Sequence, residues 1–130
     1  RPAILTGRSS HVVEARAGEL GIDLIVQGCW NKAEGIARLA ETAGVAPEAC
    51  AMMGDDIVDL PAMRACALAF APADAHPAVR RHADWISRHR GGRGAVREAC
   101  EGLILACGAW PRVIGEPYGL TPEACGWPAS

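Results

Sequence analysis

The sequence predicts a three-layer α/β fold, a parallel sheet with helices on both faces. Three observations carry that prediction. Short apolar runs alternate with stretches of helical period. The intervals between the runs suit right-handed crossovers, which parallel neighbours require. The run Ala51-Met52-Met53 ends in Gly54-Asp55-Asp56-Ile57-Val58-Asp59, the pattern of a buried strand that stops, turns and opens a helix. At 130 residues the chain is one domain by length, and with half of its residues hydrophobic it can bury a core. A net charge of −2 gives no electrostatic case for nucleic acid or an anionic membrane.

The elements follow in order. Ala3-Ile4-Leu5 reads as the end of a buried strand, stopped by Thr6-Gly7-Arg8. A strand this short needs neighbours in place, so the chain is expected to start mid-element. From Ser10 to Leu20 the spacing of Val12, Val13, Ala17 and Leu20 predicts a helix, capped by Ser9 or Ser10 and closed by Gly21. Asp23 to Val26 is a second strand, and Gly28 to Asn31 a loop. Asn31 caps a helix over 32–43 with Ile36, Leu39 and Ala40 inward, ended by Gly44. Cys50 to Met53 is a third strand, and Asp56 to Ala65 a short helix that Pro61 bends or makes irregular at its start. Ala67 to Phe70 is a fourth strand, 76–82 a helix begun by Pro77, and Trp85-Ile86 a fifth strand. After the turn 91–94, a last helix spans 95–107, with Val96, Leu103, Ile104 and Cys107 as core candidates. Trp85 is read as core. The Pro/Gly-rich tail, 108–130, is expected to be irregular and partly mobile, or docked on another surface. The domain assignment is thus a core over 1–107 and a tail.

Six cysteines are far apart, with no C-x-x-C pair, so neither a disulfide scaffold nor a zinc site is expected. Reduced thiols and a cytoplasmic location fit them. No signal peptide and no apolar run long enough to span a membrane is found.

In a parallel sheet, ligands collect at the carboxyl ends of the strands. Three of these ends carry chemistry. The first has the Thr6 hydroxyl and the backbone N–H groups of the loop that precedes a helix. The second leads to Lys32, a point charge suited to a phosphate oxygen. The third has Asp55, Asp56 and Asp59, which repel one another unless a hard cation such as Mg²⁺ neutralises them. The plain alternative is that Asp56 only caps the helix that begins there, but a cap needs one carboxylate. Taken singly, Thr6 reads as a strand-end residue and Lys32 as a solvated residue of a first helical turn. Trp30 either lines a pocket or packs partly exposed. His76 reads as a helix-start residue. Arg80-Arg81-His82 and Arg88-His89-Arg90 read as solvated faces, and Arg93 and Arg97 pair with Glu98 or cap the last helix.

Leu5-Thr6-Gly7-Arg8, then Gln27-Gly28-Cys29-Trp30-Asn31-Lys32, then Gly54-Asp55-Asp56-x-x-Asp59-Leu60-Pro61 resembles motifs two, three and four of the haloacid dehalogenase-like phosphatases. The segments Ala73-Asp74-Ala75-His76-Pro77 and Gly91-Gly92-Arg93-Gly94-Ala95-Val96-Arg97-Glu98 narrow it. They resemble the 3-deoxy-D-manno-octulosonate 8-phosphate phosphatases, which lack a large cap domain. The resemblance covers residues 3 to about 107. It implies a capless Rossmann-like core and an aspartate nucleophile that forms an aspartyl-phosphate. It implies that Thr6, helped by Gly7 N–H, holds a phosphoryl oxygen, that Lys32 neutralises the phosphate and that Asp59 orients Lys32. It makes Asp55 the direct Mg²⁺ ligand with Asp56 behind it, and Arg8 and Arg93 substrate contacts. It further implies a sugar-acid phosphate substrate and a homotetramer whose subunits help close the site. Rival readings are another nonulosonate phosphatase, the phosphatase-like domain of an acylneuraminate cytidylyltransferase, and a non-catalytic oligomerisation or regulatory module.

One motif is absent. The family's nucleophile lies in a D-x-D at the end of its first strand, and no two of the six aspartates here are two apart. The expectation is therefore a core truncated at its N-terminus, with a gap in the sheet, low solubility, weak Mg²⁺ binding and no activity on its own.

Overall fold

The structure is a computed structural model and describes residues 1–128; positions 129–130 of the expected tail lie outside the described residues. Five strands, β1 (Ala3–Leu5), β2 (Leu24–Val26), β3 (Ala51–Met53), β4 (Leu68–Ala71) and β5 (Trp85–Ile86), alternate with helices. The helices between and after the strands are α1 (His11–Glu19), α2 (Lys32–Ala43), α3 (Leu60–Ala65), α4 (Pro77–His82) and α5 (Ala95–Ala106), with a single further turn, α6 (Glu116–Tyr118), in the tail. Every strand pairing is parallel, with Ile4 opposite Ile25, Met52 opposite Ala69 and Phe70 opposite Trp85.

Local chemistry sets the boundaries. The Ser10 side chain accepts from Val12 N–H and starts α1, and Asn31 Oδ1 accepts from Glu34 N–H and starts α2. Gly44, in the left-handed region, ends α2. Pro61 makes the helix after the carboxylates begin irregularly. A 3₁₀ turn, Ile57–Asp59, leads into α3, where the missing N–H of Pro61 in the first turn is no loss.

The strands form two sheets, β1-β2 and β3-β4-β5, so β1 and β3 each have one hydrogen-bonded neighbour. Ala69, Phe70 and Ala71 of β4 are buried, whereas Ile4, Leu5, Met52 and Met53 are only half-buried. The core gathers Leu60, Met63, Ala69, Ala71, Ala75 and the fully buried Val79. Helix α2 buries Ile36, Leu39 and Ala40, packing on β1, β2 and α3, and thereby bridges the two sheets.

The last helix differs from expectation. Val96 is 64% exposed, Cys107 is exposed, and Leu103 and Ile104 are only half-buried. Ala95, Glu98 and Ala99 are buried instead, because a carboxylate bonded to the β5 loop occupies the inner face of the helix. Trp85 is half-buried, edge-on to Phe70 with ring centroids 5.6 Å apart, since β5 is an edge strand. The tail turns back on its own chain. Trp110 is buried and its indole N–H donates to Leu120 O at 3.0 Å. Trp127 packs against Gly102 of α5 and donates to Glu101 Oε2 at 2.9 Å.

The Trp110 anchor yields a test. Trp110→Ala removes a buried aromatic and its hydrogen bond, a change of about 3 kcal/mol. Amide exchange is expected to accelerate across 111–127, while protection in α2 and β4 stays as it was.

Candidate active site

The carboxyl ends of β1, β2 and β3 converge on one side chain, Lys32. It is the first residue of α2, placed there by the Asn31 cap, and it is 7% exposed. Its ammonium donates to Leu5 O, the last carbonyl of β1, at 3.3 Å. It lies 3.4 Å from Asp59 Oδ1, which follows β3 and is equally buried. The solvated reading of Lys32 is therefore corrected: a buried ammonium needs a buried partner, and Asp59 is that partner.

Asp59 is fully engaged. Its second oxygen accepts from Asp55 N–H at 3.0 Å and from Asp56 N–H at 3.2 Å. Gly54 makes this turn possible, because a Cβ there would sit 2.6 Å from Asp59 Cβ and 2.8 Å from Met63 Sδ. Asp56 Oδ1 accepts from Ile57 N–H at 2.7 Å, so this residue does cap the 3₁₀ turn. Partial burial, then the negative charges of Asp59 and Asp56, hold the Asp55 carboxyl above its usual range. Among the described residues, no three His, Cys, Asp or Glu side chains converge tightly enough to hold a metal ion. Asp55 and Asp56 fit as part of a donor set for a hard cation, and the mutual repulsion at Asp55 is what such a cation would relieve.

Thr6 continues β1, its N–H donating to Val26 O at 2.9 Å. Its hydroxyl oxygen accepts from Arg8 N–H at 3.1 Å, which leaves the hydroxyl proton free to donate. The loop before Lys32 is tied to the same place, since Cys29 N–H donates to Thr6 O at 3.1 Å and Gly28 N–H to Arg8 O at 3.3 Å. Thr6, Gly7, Lys32, Asp59, Asp55 and Asp56 thus lie on one rim. Arg8 and Arg93 are exposed and make no ion pair among the described residues. Arg93 is not brought against the carboxylates.

The loops beyond β4 and β5 complete the rim through residues the sequence singled out for other reasons or not at all. His76 N–H donates to Asp55 O at 2.8 Å, and its ring caps α4 through Ala78 N–H. Asp74 accepts from Gly91 N–H at 2.8 Å and from Arg90. Glu98 does not pair with Arg93 or Arg97. It is buried, and it accepts from Ser87 Oγ at 2.5 Å, from Arg88 N–H at 2.9 Å and from the Arg88 guanidinium. Burial raises the Glu98 pKa, but the hydrogen bonds from Ser87 and Arg88 outweigh it, and the net shift is downward. Nothing in the pattern around Ser87 announced this partnership. Two cavities, one lined by Pro77, Arg80, Arg81 and Ile86, the other by apolar residues including Phe70, Leu103 and Trp127, lie away from the carboxylates.

Comparison with known proteins places the chain in a family. The sequence model of the haloacid dehalogenase-like hydrolases matches residues 3–98. The chain is 45% identical over 114 residues to the 3-deoxy-D-manno-octulosonate 8-phosphate phosphatase of Escherichia coli, covering 88% of this chain and 61% of that protein. It therefore spans about three fifths of the length of such curated relatives. Its fold is similar to the cobalt-bound deoxy-D-mannose-octulosonate 8-phosphate phosphatase of Haemophilus influenzae, at a TM-score of 0.82, 34% identity, and coverage of 90% of this chain and 70% of that one. It is also similar to the Moraxella catarrhalis 3-deoxy-D-manno-octulosonate 8-phosphate phosphatase in complex with magnesium, phosphate and KDO. There the TM-score is 0.77 and the identity 40%, over 80% of this chain and 60% of that one.

Two outcomes follow from the charges. Asp59→Ala leaves the Lys32 ammonium buried without a counter-charge and is expected to cost about 3–5 kcal/mol in urea unfolding. Replacing both residues by apolar ones is expected to recover most of that loss. Because the folded Glu98 pKa lies below its usual 4.5, its contribution to stability is complete above that pH and is lost as pH falls through the folded value. Glu98→Gln is expected to flatten the acid limb of the stability curve below pH 4.5.

Proposed function

The chain belongs to the haloacid dehalogenase-like hydrolases, and we propose that it is the phosphate-handling portion of a Mg²⁺-dependent phosphomonoester hydrolase. The observation that carries the reading is the buried Lys32, held between Leu5 O and Asp59 with Thr6 on the same rim. In this reading the ammonium neutralises a phosphoryl oxygen, and the Thr6 hydroxyl and Gly7 N–H donate to another. Asp59 aims Lys32. Asp55 would hold Mg²⁺ directly and Asp56 through water, and bound there the cation supplies positive charge to the phosphoryl group.

The nucleophile is not among these residues. A carboxylate supplied from outside residues 1–130 would attack phosphorus, displace the sugar oxygen and form an aspartyl-phosphate, which water then cleaves. A strand between β1 and β3 is the proposed carrier, because each of these strands has an unpaired edge. The substrate is a sugar-acid phosphate, with 3-deoxy-D-manno-octulosonate 8-phosphate preferred from the names of the relatives. Arg8 and Arg93 would meet its acid and hydroxyl groups. A cytoplasmic homotetramer, in which neighbours close a site without its own cap, completes the proposal. Among the described residues no helix is long and apolar enough to cross a membrane. The absence of a D-x-D favours one rival, a non-catalytic module.

Phosphate release from the sugar phosphate with Mg²⁺ separates these readings. The 130-residue chain alone is expected to show none. The same chain carrying an added N-terminal strand with D-x-D is expected to turn over, and Lys32→Ala in that form to lose roughly a thousandfold. Turnover by the unmodified chain overturns the placement of the nucleophile, and inactivity of the extended chain favours the module. Calorimetry is expected to find Mg²⁺ binding weaker than micromolar, and Asp55→Asn to abolish it.

A further inference from the structure

Trp30 stands out among the exposed side chains of the rim. It is 69% exposed, too open to contribute much to the core. Yet its ring is not loose. A Cβ built on Gly7 would lie 3.2 Å from Cδ2 and from Cε3 of the indole, so the ring rests directly on the Gly7 backbone. Even a Cβ at position 7 would make the ring give way. The two loops beneath are tied together by the hydrogen bonds from Cys29 N–H to Thr6 O and from Gly28 N–H to Arg8 O. Trp30 is followed directly by Asn31, which caps α2, and by Lys32. The ring is thus seated on Gly7, the residue after Thr6, and belongs to the loop that leads into Lys32.

Trp110 and Trp127 each satisfy their indole N–H, on Leu120 O and Glu101. Among the described residues, the Trp30 N–H has no such partner. An aromatic held on one side, open on the other and carrying a free donor has the form of a platform for an amphipathic ligand. The ligand chemistry that matches is a polyol with a C–H face to lie on the ring and hydroxyls to meet the indole N–H. A solvated core residue would not need the Gly7 seat, and an anion alone would gain nothing from an indole face.

We propose that Trp30 is a specificity-determining residue, which packs against the C–H face of the sugar acid whose phosphate Thr6 and Lys32 hold. This rests on the phosphatase reading above and adds the wall that would select the sugar. Specificity then divides within one loop: Lys32 reads the charge, and Trp30, two residues earlier, reads the carbon skeleton.

The test separates the two layers by using two probes on the full 130-residue chain with Mg²⁺. Inorganic phosphate probes the cradle, and 3-deoxy-D-manno-octulosonate probes the platform, each by calorimetry with tryptophan emission as a second readout. Trp30→Ala is expected to weaken the sugar acid roughly three- to tenfold and Trp30→Phe to restore most of it, with phosphate affinity unchanged in both. Equal sugar-acid affinity in wild type and Trp30→Ala overturns the proposal. So does phosphate binding without any sugar-acid binding, which leaves the cradle intact. If phosphate binds neither this chain nor the form extended by a D-x-D strand, the phosphatase reading falls and the platform falls with it.

Discussion

The buried pair between Lys32 and Asp59 is the constraint on which the site depends. Lys32 belongs to the helix that covers β1 and β2, and Asp59 follows β3, so the pair spans the two sheets at their carboxyl ends. Neither charge could be buried alone. Removing one ion of such a pair strands the other in low dielectric, whereas apolar replacement of both is often neutral. The pair is therefore a weak argument for stability and a strong one for position. It fixes an ammonium, aimed by a carboxylate and a carbonyl, where three strands end. Gly54 is part of the same constraint, because the close approach of Asp59 leaves no room for a side chain there.

The adjacent carboxylates show that capping and ligation need not compete. Asp56 caps the 3₁₀ turn, and Asp59 accepts from the N–H groups of Asp55 and Asp56, a reciprocal box closed within four residues. That box uses up Asp59 and one oxygen of Asp56. It leaves Asp55 with a carboxyl that burial and its neighbours hold above the usual range. An anionic phosphate approaching this rim meets one ammonium and several negative groups. The balance is unfavourable without further positive charge, and a divalent cation on Asp55 is the smallest addition that corrects it.

Much of this was legible in the sequence because it is local. Ser10, Asn31 and Gly44 mark helix ends through bonds that reach at most a few residues, and period alone finds the inner face of α2. The order of Thr6, Lys32 and Asp55 could be read because each comes after the carboxyl end of a strand. What stayed hidden is non-local. Glu98 reaches back to Ser87, and Trp127 lies on Gly102, with no pattern at either end to announce the partner. The inward side of α5 was misread for a related reason. Residue type alone places the apolar side chains of α5 inward, but the hydrogen bonds of a buried carboxylate set the rotation, and Val96 faces solvent. The burial of Lys32 was likewise invisible until its partner 27 residues on was in place.

The two halves of the site and the two sheets present the same deficit. β1 and β3 consist of Ala-Ile-Leu and Ala-Met-Met, without the charges, prolines or bulges that usually blunt an exposed edge. Strands in parallel sheets are ordinarily covered on both faces, yet Ile4, Leu5, Met52 and Met53 are only half-buried. A parallel strand added to either open edge would lie about 4.8 Å from it and satisfy its backbone groups. In the proposed reading its carboxyl end would reach the rim that holds Lys32 and Asp55. On that reading, packing, backbone hydrogen bonding and charge would all be served by one such strand. A strand that brought only apolar residues would mend the sheet and leave the electrostatics of Asp55 unchanged. One that ended in carboxylates would complete a donor set for the cation as well, and would set a nucleophile beside Lys32. On this view, restored stability and restored chemistry are separable, and the composition of the strand's last residues decides between them.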